Sequence, residues 1–278
     1  YFPFLEKVSK MSYAMTINTR ILNENPVEMI QILNQDGIIN DKYDLANWTN
    51  ERHLNLYKWM ILTRTFDNRM LKMQRQGRMG TFAPNLGQEA CQIAQVDPLT
   101  NNDWFSPSYR SFGAQLRRGW PMEHLFLLWN GFHSGFPPPK DVNDLPFSIV
   151  IGSHVLPAVG IGIAQKIQKK KQIVVVNFGD GAMSQGAVSE ALNYAAVFKA
   201  PVIFACENNG WAISTPLEKQ CATKGFAERA SGFGIPSLTV DGNDIIGSCE
   251  VMSTAAERAR SNNGPTFIEF ITYRMSLH

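Results

Sequence analysis

Two unbroken apolar runs constrain this chain more than any other feature. "QIVVVNFG" (172–179) and "PVIFACENN" (201–209) lack the polar alternation of a half-exposed strand. Runs of that kind belong to strands covered on both faces, the situation in parallel sheets. Between them, "SQGAVSEALNYAAVFK" (184–199) sets small and apolar residues at helical spacing. The same alternation continues on both sides. "HVLPAVGIGIAQKIQKKK" (154–171) reads as a helix, "IPSLTVDGND" (235–244) as a strand, "IGSCEVMSTAAERARS" (246–261) as a helix and "GPTFIEFITYR" (264–274) as a last strand. Strands alternating with helices predict an α/β fold, a parallel twisted sheet flanked by helices with right-handed crossovers.

Upstream, residues 52–76 carry Leu54, Tyr57, Met60, Ile61 and Leu71 at helical spacing, and Gly77 ends that helix. "APNLGQEACQIAQ" (83–95) reads as a loop entering a helix, and "NDWFSPSYRSFG" (102–113) as a polar and aromatic loop. Pro121 opens a helix that runs to about Trp129. "FPPPKDVNDLP" (136–146) breaks regular structure, and "FSIVIGSH" (147–154) reads as a short strand. Residues 1–50 are Asn-rich and weakly patterned. They predict an extended arm, packed on a partner, ahead of one α/β domain over 51–278.

Composition narrows the class. With 44% hydrophobic and 18% charged residues, the chain can bury a sizeable core. A formal charge of +2, with basic residues scattered apart from Lys169, Lys170 and Lys171, argues against a nucleic-acid partner. No apolar stretch approaches the ~20 residues of a membrane helix. Cys91, Cys206, Cys221 and Cys249 form no CxxC pair, which suits a reducing compartment and provides no zinc site; Cys206 reads as core. The first residues lack a signal core, so a cytoplasmic location is expected, with a mitochondrial matrix as the alternative.

The chemistry gathers where the two apolar runs stop. Gly179-Asp180-Gly181 follows the first, and Asn208-Asn209 ends the second, one crossover later. Ligands of open α/β sheets bind beyond the carboxyl ends of the strands, so Asp180 and Asn209 are expected on one rim. Glycines let a backbone approach a ligand closely. A helix starting near Ala182–Ser184 would turn free N–H groups toward phosphate. A carboxylate and an amide oxygen are hard ligands that suit Mg²⁺, which draws its remaining ligands from water and phosphate. Each motif alone is an ordinary turn; the pair, each after a buried strand, predicts a metal–diphosphate site. No Gly-Lys-Ser/Thr follows, and "GDGAMSQG" lacks GxGxxG spacing, so neither a Walker loop nor a dinucleotide fingerprint applies.

The GDG…NN constellation resembles the thiamine diphosphate motif. Together with "RQGRMGTFAPNLGQEA", "YRSFG", "EALNYAAVFKAPVIF", "ENNGWAISTP", "VDGND" and "ITYRMSLH", it resembles the α subunit of the decarboxylating first component of 2-oxo acid dehydrogenase complexes. The resemblance spans about residues 50–278. It implies the thiamine diphosphate-binding fold, with thiamine diphosphate and Mg²⁺ as cofactors. The partners it implies are a β subunit in an α2β2 heterotetramer, a lipoyl-bearing acyltransferase core and a 2-oxo acid substrate.

Carried over residue by residue, Asp180 and Asn209 match the magnesium ligands. Trp211 stands where the family usually has Tyr, whose backbone carbonyl binds the metal. Gly181 and Ala182 match backbone contacts to the diphosphate, and Tyr109 and Arg110 a pair near the cofactor. Ile149 and Ile151 match positions whose backbone meets the aminopyrimidine ring. His278 matches the active-site histidine that takes part after decarboxylation, as proton donor or orienting group toward the lipoyl thiol. Relatives continue past that point with a Ser-rich loop and a helical region, so a C-terminal region of relatives is expected to be missing from this sequence. Phe82 and Gln88 lie in a segment that borders substrate in relatives. His154 stands where relatives often carry Gln, lining the pocket or satisfying a backbone group. Glu207 is read as balancing Arg110 or sitting in a subunit contact. His53, His124 and His133 lack companions and read as structural or exposed.

The family's ylid-forming glutamate comes from the β subunit, so the resemblance implies half a site here. "ISTP", "GFGIP", "VDGND" and "TYRMSLH" lean toward branched-chain 2-oxo acids, the reading preferred here, and "RQGRMGTFAPNLGQEA" and "FKAPVIF" resemble pyruvate-type bacterial members. Two rival readings are a transketolase-like enzyme, which usually holds both cofactor domains on one longer chain, and a non-catalytic nucleotide-binding or scaffolding subunit, which would have lost the Asp–Asn and Tyr–Arg pairs.

Overall fold

The computed structural model describes residues 28–43, 45 and 48–276. Most of the expected N-terminal arm, and His278, lie outside the described residues.

The chain order begins with β1 (Met29–Ile30), α1 (Asn50–Arg75), α2 (Glu89–Val96), β2 (Trp104–Ser106), α3 (Phe112–Arg117), α4 (Met122–Trp129) and β3 (Asn143–Asp144). It continues with α5 (Val155–Ile167), β4 (Val174–Gly179), α6 (Gly186–Phe198) and β5 (Val202–Asn208). A short hairpin, β6 (Trp211–Ala212) and β7 (Thr215–Pro216), precedes α7 (Phe226–Ser231), β8 (Ser237–Asp241), α8 (Ile245–Arg260) and β9 (Thr266–Ile271). Among the described residues, seven strands form one parallel sheet in the order β1-β8-β9-β5-β4-β2-β3.

Every residue of β5 is buried, and of β4 all but Gly179. Their side chains alternate between two cores, which explains why the runs are mainly apolar; the buried polar exceptions, Asn177, Glu207 and Asn208, lie toward the carboxyl ends of the strands. Val174, Val176 and Phe178, with Val202, Phe204 and Cys206, pack under α5, α6 and α7. Val175, Ile203 and Ala205 face Cys91 and Val96 of α2, Ala114 of α3 and Met252, Ala255 and Ala256 of α8. Each fully buried aliphatic or aromatic side chain there contributes roughly 1.5–3 kcal/mol. An aromatic cluster around Phe66, Phe82, Phe112 and Trp129 fills the space between α1, α3 and α4.

Side-chain caps fix two helix starts. Thr49 accepts from Arg52 N at 3.2 Å and opens α1. Asp244 opens α8 by accepting from Ile246 N (2.9 Å) and Gly247 N (3.0 Å). Its other oxygen accepts from Ile32 N (2.6 Å) and Leu33 N (3.0 Å), which fastens the segment after β1 to the sheet edge. That double duty gives the "VDGND" motif a structural reason.

Two local readings need correction. Residues 147–154 form no strand but a turn, with one isolated bridge from Ser148 to Ser108. Gly152 adopts φ +79°, Ser153 Oγ donates to Val150 O at 2.8 Å, and Ile149 and Val150 are exposed, so the β-branched residues find no partner strand. Conversely, β2 lies inside the stretch read as a loop; three residues before Pro107 leave little periodicity to see. Among the described residues no helix is long and apolar enough to cross a membrane.

Candidate active site

Strands β4 and β5 are neighbours, with Gly179 level with Glu207. Asp180 therefore emerges one step past β4, and Asn209 two steps past Glu207, on the carboxyl rim of the sheet. Asp180 begins a 3-10 turn, Asp180–Ser184, and α6 starts only at Gly186, later than the spacing predicts. The β6–β7 hairpin folds back over this turn: a Cβ added to Gly181 would lie 3.0 Å from the Ala212 Cβ. A side chain at this position would make the hairpin give by a few tenths of an ångström, so glycine suits the close approach.

Between turn, hairpin and the loops before α3 and α5 lies a cleft of about 740 Å³, its open mouth included. Asp180, Gly181, Ala182, Asn209, Trp211, Tyr109, Arg110 and Ile151 all line it. Ile149, 63% exposed, is not among the lining residues, and His278 lies outside the described residues.

One side of the cleft carries the buried Arg110. Its guanidinium donates to Pro84 O and lies 5.8 Å from the Tyr109 ring centroid. Burial lowers its pKa, opposed by Tyr109 and the Glu207 charge. A desolvated guanidinium of this kind gains most from an anionic ligand. Across the rim, Asp180 is 2% exposed, and burial raises its pKa. Gln220 Nε2 donates to its Oδ2 at 3.0 Å, which offsets part of that cost. A buried carboxylate facing a cleft gains in the same way from a cation.

Beneath the cleft lies a polar network that motif reading missed. Glu207 is buried, and its Oε2 accepts from Gln88 Nε2 (3.0 Å) and Gln92 Nε2 (3.2 Å). Its Oε1 accepts from Gln95 Nε2 (3.0 Å) and Asn177 Nδ2 (2.5 Å). Burial pushes the carboxyl up to about 7, against the pull of the amides and the Arg110 charge. Glu207 thus feels Arg110, as read from sequence, but amides hold it. Gln88, the N-cap of α2, shares one face with Gln92 and Gln95 along the helix; that i, i+4, i+7 stripe was the available signal. Asn177 Oδ1 accepts from Ser108 Oγ (2.5 Å) and Ser111 Oγ (2.7 Å), tying the loop before α3 to β4.

His154 both lines the cleft and satisfies a backbone group: its Nε2 lies 2.7 Å from Asn177 O. A carbonyl can only accept, so Nε2 carries the proton and Nδ1 is an acceptor, buried without a partner. Burial lowers the His154 pKa and keeps the ring neutral.

Among the described residues, no group of three His, Cys, Asp or Glu side chains comes together to hold a metal. A cation here would draw on the Asp180 carboxylate, Asn209 Oδ1 and backbone carbonyls, with the rest supplied by ligand oxygens. That donor set is hard and sparse, and it fits Mg²⁺ held with a diphosphate.

Comparison with known proteins covers the stretch of chain that forms the cleft. The family model for the dehydrogenase E1 component matches residues 57–278. The pyruvate dehydrogenase E1 component subunit alpha of Acholeplasma laidlawii is 42% identical over 245 residues, covering 88% of this chain and 71% of that protein. The 3-methyl-2-oxobutanoate dehydrogenase subunit alpha of Mycobacterium tuberculosis is 39% identical over 253 residues, covering 91% and 69%. The pyruvate dehydrogenase E1 component subunit alpha of Staphylococcus aureus is 38% identical over 261 residues, covering 93% and 70%. With the parallel sheet and the cleft at its carboxyl rim, these matches make this chain a member of the dehydrogenase E1 component family.

Proposed function

We propose that this chain is the α subunit of a 2-oxo acid dehydrogenase first component, binding Mg²⁺ and thiamine diphosphate and acting on a branched-chain 2-oxo acid. The observation that carries the reading is the convergence of Asp180, Asn209 and Arg110 on one cleft at the ends of adjacent parallel strands. Asp180 and Asn209 Oδ1, with the Trp211 carbonyl, hold the metal. Arg110 would grip phosphate oxygens, and the backbone at Gly181 and Ala182 would hold the diphosphate. Tyr109 and Ile151 wall the cleft. His278 orients or protonates at the acyl-transfer stage.

Thiamine diphosphate, when bound, supplies the electron sink for decarboxylation. This chain's share is to bind, orient and desolvate. The β subunit completes the site and supplies the activating carboxylate, and a lipoyl-bearing acyltransferase core receives the acyl group. In the turn that carries the cleft-lining Ile151, the adjacent Ile149 and Val150 are 63% and 67% exposed, an apolar pair that a protein partner would cover.

The second reading takes pyruvate as substrate, favoured by the 42% identity to a pyruvate dehydrogenase subunit. Pockets for the two acids differ by a few methylenes, each worth about 1–3 kcal/mol of discrimination. The test is turnover of 3-methyl-2-oxobutanoate and of pyruvate by the chain alone and with a β partner. Negligible turnover alone and a branched-chain preference when assembled are expected. Full activity alone would refute the half-site, and a tenfold preference for pyruvate would install the second reading.

A further inference from the structure

Asn209 can serve as a metal ligand only if the correct end of its amide faces the cation. The two ends are nearly equal in size, and only hydrogen-bond partners choose between them. Trp211 N donates to Asn209 Oδ1 at 3.2 Å, which leaves that oxygen a second lone pair. The other end, Nδ2, donates to Gln88 Oε1 at 2.9 Å. Gln88 faces the same ambiguity. Its Oε1 also accepts from Thr272 Oγ1 at 3.4 Å, and its Nε2 donates to Glu207 Oε2 at 3.0 Å.

The polarity of this chain of amides is set from both ends: the Trp211 N–H can only donate, so it favours the Asn209 oxygen through a long 3.2 Å contact, and Glu207 fixes the other end through Gln88. Glu207 receives four amide donors, so its oxygens face only N–H groups. One neighbour is anchored independently: Gln92 Nε2 donates to Arg110 O, and Gln92 Oε1 accepts from Gly113 N at 3.0 Å. With Glu207 accepting, Gln88 must present nitrogen to it and oxygen to Asn209; Asn209 must then present nitrogen to Gln88 and oxygen to the cleft. Gln88 itself is held by packing. It is 1% exposed, and the preceding Gly87 has φ +96°, with the Tyr273 carbonyl oxygen 1.9 Å from where a Cβ would sit.

We propose that Gln88 is a positioning residue that fixes which end of the Asn209 amide meets the metal, taking its own orientation from Glu207. The inference rests on the reading that Asn209 Oδ1 is a metal ligand. It has a distinctive consequence. A carboxylate at position 209 has no wrong end, so Gln88 should matter far less beside Asn209→Asp.

The test is a double-mutant cycle on the assembled α/β enzyme. Mn²⁺ stands in for Mg²⁺, and its binding at saturating thiamine diphosphate is counted by electron paramagnetic resonance. Gln88→Met keeps the side chain's length and removes its polarity. It should weaken Mn²⁺ about 10–100-fold, the range for partners that orient metal ligands. In the Asn209→Asp background the same change should cost less than about threefold. An equal loss in both backgrounds, or no loss in the first, overturns the proposal. If Gln88→Met fails to assemble, Glu207→Gln replaces it. That change frees Gln88 to turn over, and its effect should again shrink beside Asn209→Asp; equal effects overturn the proposal. Asn209→Ala separates the two levels: if it leaves Mn²⁺ affinity unchanged, the ligand reading itself fails.

Discussion

Asp67, on α1 below the loop that leads to Gln88, should limit stability at neutral pH. It is 2% exposed, and burial pushes its carboxyl up to about 6 from an ordinary 3.8. The Asn85 N–H, donating at 2.9 Å, and the Arg110 charge offset only part of that cost. A folded-state pKa above the unfolded value means that the native chain binds the extra proton. Stability contributed by the protonated form is therefore present below about pH 4 and is lost as pH rises through about 6. Some two pKa units at 1.36 kcal/mol each give a penalty of about 3 kcal/mol at pH 8, falling to about half that at pH 5. Asp67→Asn keeps an oxygen for the Asn85 N–H and removes the titration. Thermal unfolding of parent and variant at pH 5, 6 and 8 should show the variant ahead by roughly 6–12 °C at pH 8, with the gap narrowing toward pH 5. A gap independent of pH, or no gap at pH 8, would refute the reasoning.

Two further substitutions probe the frame of the cleft. Gly87→Ala combines a left-handed backbone with a clash against the Tyr273 carbonyl, so we expect a loss of at least about 3 kcal/mol in denaturant unfolding, with weakened cofactor binding. Asp144→Ala strips the partner from the buried Arg118, whose Nη2 lies 2.8 Å from Asp144 Oδ1, and removes an acceptor from Trp120 Nε1 at 2.8 Å; about 3–5 kcal/mol should be lost by the same assay.

Sequence patterning reached the parts of this protein whose physics is local. Apart from Asn177, Val174–Phe178 and Val202–Cys206 are apolar because both faces of β4 and β5 are covered, and that is visible without coordinates. The rim position of Asp180 and Asn209 followed from where those runs stop. Elsewhere local patterning misled. Ile149-Val150-Ile151 has strand-like chemistry yet lies in a turn, because tertiary context, with Gly152 at positive φ, overrides β propensity. The expected helix start near Ala182 gave way to a 3-10 turn, because Gly179–Met183 wraps under the β6–β7 hairpin. Least legible was the amide network. Glutamine carries no chemistry of its own, and the carboxylate that organises Gln88 is 119 residues away.

The most direct test is calorimetric titration of thiamine diphosphate into the assembled enzyme, with and without Mg²⁺, for the parent and Asp180→Ala. Tight binding that requires Mg²⁺ in the parent is predicted, together with at least a hundredfold loss in a variant that still assembles. Undiminished, Mg²⁺-dependent binding by Asp180→Ala would contradict a cation bridging the ends of β4 and β5.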